Sequence, residues 1–115
     1  MGLIFVDSCL VIYALEDHPR HGERVRQALA RENPEDLAIS PLVMLECLVA
    51  PMRDGDLALQ RHYEHGLRQF EILTMSEDVY LYAAQFQARF GLKTPDALHL
   101  ATAISHGCRA LWTGG

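Results

Sequence analysis

The chain has 115 residues, half of them hydrophobic, with no polar low-complexity tract, so a single domain over residues 1–115 with one core is expected, and disorder is not. A net charge of −5 argues against a protein that holds nucleic acid by bulk positive charge. No apolar run is long enough to cross a membrane as a helix.

Leu3 to Val6 is a short, continuous apolar run, the pattern of a strand buried on both faces. It follows Met1-Gly2 with no basic leader, so no signal peptide is expected. Asp7 ends the strand, and Ser8 to Leu15 reads as a largely apolar helix that Asp7 or Ser8 can cap. His21 to Arg31 is a second helix, with Val25, Ala28 and Leu29 on one side and mixed charges around the rest, the pattern of a solvated face. After a turn at Asn33 to Asp36, Leu37 to Ile39 is a second short strand.

Ser40-Pro41 then opens an apolar helix, Leu42 to Ala50, that Pro51 is expected to end. A further helix runs from Asp54-Gly55-Asp56 to about Gln69, followed by a third strand at Phe70 to Leu73. Ser76 starts a helix over Val79 to Phe90, in which Val79, Tyr82, Ala83, Phe86 and Phe90 form a stripe with Tyr80 and Leu81 beside it. Gly91 closes that helix. Thr94 suits the cap of the last helix and Pro95 its first position, Gly107 closes it, and Ala110 to Thr113 is a fourth strand. Strands alternating with helices at these spacings predict an α/β fold, a three-layer α/β/α sandwich around a central parallel sheet.

Three acids stand where apolar elements end or turn: Asp7, Glu46 and Asp96. Asp96 is favoured by the positive end of its helix, as any helix-start acid is. Glu46 interrupts an apolar helix, and a carboxyl group there must be paired, as with an Arg, or protonated or bound to a metal. In an open parallel sheet, sites form beyond the carboxyl ends of the strands. The three carboxylates are expected on that one rim, where their mutual repulsion calls for a cation. Oxygen-only ligands favour Mg²⁺ or Mn²⁺, which implies metal-assisted phosphodiester hydrolysis.

Around these acids, His99 lies one turn after Asp96, as a ligand or a hydrogen-bonding neighbour. Ser8 and Thr113 are further candidates for supporting or phosphate contacts. Arg20, Arg24, Arg89 and Lys93 are candidates for phosphate contacts. Cys9, Cys47 and Cys108 are far apart and lack zinc or C-x-x-C spacing, as expected of reduced thiols in a cytoplasmic protein.

Asp7-Ser8-Cys9 after an apolar strand, Glu46 in an apolar helix and the run Thr94-Pro95-Asp96-Ala97-Leu98-His99-Leu100-Ala101-Thr102-Ala103 together resemble a PIN-domain ribonuclease. The likeness is to the VapC-like toxins of toxin–antitoxin pairs and covers essentially the whole chain. It implies a Mg²⁺- or Mn²⁺-dependent endoribonuclease in which Asp7, Glu46 and Asp96 hold the metal. It also implies a homodimer and a cognate antitoxin whose tail blocks the active site. Two departures stand out. Cys9 takes a position where the family often has Asn, Ser or Thr. Thr113-Gly114-Gly115 has Gly where the family's fourth acid is expected, and the chain then stops short of the family's final strand, as a truncated chain or one lacking that acid would. That gap supports a second reading, a non-catalytic PIN-like module that binds RNA or protein. A receiver-type phosphoacceptor domain fits less well, because Glu16 and Asp17 come too late after the first strand and no Lys follows the last one.

Overall fold

Short apolar runs make strands here because helices cover them on both faces. The structure, a computed structural model, describes residues 2–114. The strands are β1 (Ile4–Val6), β2 (Leu37–Ile39), β3 (Glu71–Ile72) and β4 (Ala110–Trp112). The helices are α1 (Ser8–Leu15), α2 (Gly22–Ala30), α3 (Pro41–Arg53), α4 (Leu57–Leu67), α5 (Glu77–Phe90) and α6 (Thr94–Ser105), with a 3₁₀ turn at Pro34–Asp36. The strands pair in the order β3-β2-β1-β4, every pair parallel, with Phe5 in register with Ala38 on one side and Leu111 on the other. A parallel sheet flanked by helices is the three-layer α/β/α fold that the alternating pattern predicts.

The core follows from this order. All three residues of β1 are fully enclosed, as are Ala38 and Ile39 of β2. They pack with Val11, Val43, Cys47, Tyr63 and Leu67 from α1, α3 and α4. Enclosing a side chain such as Ile39 or Phe5 is worth about 1.5–3 kcal/mol. Tyr63 is buried with its ring in this cluster, and its hydroxyl donates to Glu16 at the end of α1. A second cluster joins Val79 and Ala83 of α5 to Ala97, Leu98 and Ala101 of α6. That contact anchors α6, and with it the first turn that carries Asp96.

Four details differ from the sequence expectation. Pro51 lies inside α3, which continues to Arg53. A proline there costs one backbone bond, the next turn closes through Asp54 N–H to the Ala50 carbonyl, and the ring itself is buried. Lys93, not Thr94, is the cap residue of α6, so Thr94, Pro95 and Asp96 occupy its first three positions. The Thr94 hydroxyl instead accepts from Gln87 Nε2 at 2.9 Å, tying α6 to α5. β3 has only two residues, although Leu73 N–H still reaches the Ile39 carbonyl. On α5, Val79 and Ala83 are buried, but Tyr82 and Phe90 face solvent beside Tyr80 and Leu81.

Candidate functional site

β1 runs its apolar residues into the core and delivers Asp7 at its carboxyl end. There Asp7 is the cap residue of α1, its Oδ1 accepting from Leu10 N–H at 3.1 Å. Its Oδ2 accepts from Gly114 N–H at 3.3 Å, just past β4. Asp7 N–H in turn donates to the Trp112 carbonyl at 3.1 Å. The carboxylate is therefore held from two sides by backbone of different elements. Gly114 is the residue that permits this closure. A Cβ at that position would sit 2.9 Å from both Cβ and Sγ of Cys9.

Asp96 arrives from another direction, in the first turn of α6. It is exposed and has no hydrogen-bond or ion-pair partner among the described residues. Asp7, Asp96, His99 and Thr113 line one cavity of about 310 Å³, with Leu92, Leu100 and Leu111 completing its wall. Two carboxylates thus share one concave site at the rim where the parallel strands end.

Glu46 reaches this site indirectly. Ser40 caps α3, its hydroxyl accepting from Val43 N–H at 3.3 Å, and Glu46 follows on the same helix. Its carboxylate is turned onto His99, with Oε1 2.8 Å from His99 Nε2. The sequence reading offered an Arg as the structural partner; the partner is His99. Glu46 does not line the cavity. Among the described residues, no three His, Cys, Asp or Glu side chains are placed so as to hold one metal ion together.

Two neighbouring groups hold their protons more tightly than usual, mainly for other reasons than the acids. Tyr13, further along α1, has its hydroxyl pushed above the ordinary tyrosine range, chiefly by its hydrogen bond to Cys9, with the Asp7 charge a smaller cause. Cys47, next to Glu46, has its thiol pushed up to about 12, first by burial and then by the Glu46 charge. Of the basic candidates, Arg24 lines an adjoining cavity with Trp112 and Thr113. Arg20, Arg24, Arg89 and Lys93 have no ion-pair partner among the described residues. Ser8 is the first residue of α1, half-buried beside Asp7. Sequence reasoning missed Gly114 as a hydrogen-bond donor to Asp7. Its only trace in the chain is a small residue two positions after the last strand. Gly115, where a fourth acid was sought, lies outside the described residues.

Comparison with known proteins gives a consistent fold. A toxin–antitoxin complex from Klebsiella pneumoniae superposes with a TM-score of 0.80 at 24% identity, over 98% of this chain and 87% of that one. VapBC2 from Rickettsia felis, bound to a DNA fragment of its promoter, gives 0.76 at 19% identity, over 97% and 87%. VapC20 from Mycobacterium tuberculosis, a toxin that cleaves the sarcin–ricin loop, gives 0.78 at 14% identity, over 97% and 89%. A search of curated protein sequences finds no match. The family model of the PIN domain matches residues 4–115, and the chain belongs to that family.

Proposed function

We propose that this protein is a Mg²⁺- or Mn²⁺-dependent endoribonuclease, acting as the toxin of a toxin–antitoxin pair. The observation that carries the reading is the meeting of Asp7 and Asp96 in one cavity at the carboxyl rim of a PIN-domain sheet. The donors fit the ion. Both are hard carboxylate oxygens, and Mg²⁺ is commonly held by one or two carboxylates with waters and substrate phosphate completing its shell. When bound there, the cation supplies charge against the phosphate and an activated water.

The protein's own residues would do the rest. Asp7 is fixed by Leu10 and Gly114 N–H groups, so little reorganises when a ligand arrives. Asp96 is unpartnered among the described residues and free to bind. Glu46 is the third acid of the site, placed one side chain away through His99. Thr113, which lines both cavities, and Arg24, which lines only the adjoining one, would meet the RNA backbone, with Arg20, Arg89 and Lys93 as outer contacts. Ser8 would support Asp7. A cognate antitoxin is the protein partner, in keeping with the complexes to which the fold is similar, and the chain would act as a homodimer.

The test is calorimetric titration with Mn²⁺ followed by an RNA cleavage assay. The parent should bind Mn²⁺ and cut RNA, and Asp7→Asn with Asp96→Asn should abolish both. A double variant that binds as the parent does would place the site elsewhere. Binding without cleavage would favour the non-catalytic RNA- or protein-binding module.

A further inference from the structure

We infer that His99 is a positioning residue for Glu46: its Nε2–H holds one carboxylate oxygen and leaves the other for the divalent ion or a water on it. The inference rests on the metal reading above. A carboxylate oxygen only accepts, so the 2.8 Å contact is a bond donated by the ring. On the neutral ring this leaves Nδ1 as a bare lone pair. Nδ1 is enclosed and is, among the described residues, the only buried side-chain nitrogen or oxygen without a hydrogen-bond partner. A histidine kept only for packing would not be expected to leave a ring nitrogen unsatisfied, because an apolar side chain fills the same space at lower cost.

The ring is also well placed to aim a carboxylate. His99 is 6% exposed and packs with its centroid 5.7 Å from that of Phe5, which is fully enclosed in β1. It has little room to swing. Glu46 is a quarter exposed within the otherwise apolar run 42–50 of α3, and no Arg or Lys pairs with it among the described residues. Among the described residues, His99 is the only hydrogen-bond partner of this carboxylate. The same helix carries Asp96 three residues earlier, on the same face, and both line the cavity. One rigid element thus supplies a proposed ligand and the group that steers another acid. Hydrogen-bonded outer partners of this kind orient metal-binding side chains.

The experiment is a double-mutant cycle on the full chain, read by Mn²⁺ calorimetry, with circular dichroism and thermal unfolding of each variant recorded without metal. His99→Leu should lower Mn²⁺ affinity about tenfold or more, the scale usual for losing an outer partner. His99→Gln, whose amide N–H reaches about as far as Nε2, should restore most of it. In a Glu46→Ala background, His99→Leu should cause no further loss, because its effect runs through Glu46. A merely structural histidine would weaken binding in both backgrounds, and that additive result overturns the inference. So does unchanged or tighter Mn²⁺ binding by His99→Leu in the Glu46 parent. If His99→Leu does not fold, His99→Asn replaces it, since its shorter amide falls short of Glu46; equal affinities for the Gln and Asn variants then overturn the inference. A parent that binds no Mn²⁺ defeats the metal reading and this inference together, whereas the other outcomes defeat the inference alone.

Discussion

Asp7 and Asp96 both start helices, yet the fold uses them differently. Asp7 accepts from Leu10 N–H and Gly114 N–H and so closes α1 against the end of β4. Asp7→Ala should cost about 1–2 kcal/mol, the usual loss of a side-chain cap, measured by urea unfolding. Asp96 accepts no bond from the described residues, so Asp96→Asn should change stability by less than about 1 kcal/mol, beyond its contribution at the positive helix end. RNA cleavage should nonetheless fall by orders of magnitude in both variants. An Asp96→Asn protein that cuts at the parent rate would end the nuclease reading. Cys47 carries a third residue-level prediction. Its thiol titrates at about 12 when folded, against 9.0 ordinarily, because burial disfavours the thiolate. Above pH 9 the unfolded chain loses that proton and the folded chain keeps it. Stability from this group is therefore fully present below pH 9 and is lost as pH rises toward 12. Urea midpoints measured from pH 8 to pH 10.5 should fall, and Cys47→Ala should flatten the decline. An unchanged slope would show that other groups cause it.

Between α5 and α6 the chain turns at Gly91, whose φ of +67° closes α5 in the left-handed region. Nothing lies within 4 Å of where a Cβ would stand, so Gly91→Ala tests backbone strain alone. The expected loss is about 1–2 kcal/mol, with a lower thermal midpoint and unchanged Mn²⁺ affinity. A neutral outcome would mean that the loop relaxes without moving Asp96. The Gly91 stop was legible in the sequence, as were β1, β2 and the Ser40 cap followed by Pro41, because these are local signals. Other features were not. The shift of the α6 cap from Thr94 to Lys93 depends on Gln87, a residue of the preceding helix that takes the Thr94 hydroxyl. The survival of α3 past Pro51 depends on burial of its ring. At the site, Asp7 and Asp96 were legible as acids at element ends. The Glu46–His99 pair was not, because it joins positions 53 residues apart and is decided by how α3 and α6 pack.

At the scale of the whole molecule, apolar surface is left over. On α5, Tyr80, Leu81, Tyr82 and Phe90 are 53%, 56%, 43% and 63% exposed, while Val79 and Ala83 already satisfy the core. On α3, Leu45, Val49 and Met52 recur at helical spacing and are each more than half exposed. Apolar groups left exposed on helix faces are candidates for a surface that binds another protein. A second copy of the chain is the simplest occupant, since it needs no other component and buries the same groups twice over in a two-fold contact. The parent should therefore scatter light as a dimer at micromolar concentration, and its thermal midpoint should rise with concentration by mass action. Replacing Tyr80 and Leu81 by Glu should give a monomer. The isolated chain should remain folded, because both side chains already stand in solvent and their loss opens no cavity. That variant should also keep its Mn²⁺ affinity, since neither residue lines the cavity of Asp7 and Asp96. A parent that scatters as a monomer, or whose midpoint is independent of concentration, would leave the α5 face to a partner of a different sequence and remove self-association from the account of this protein.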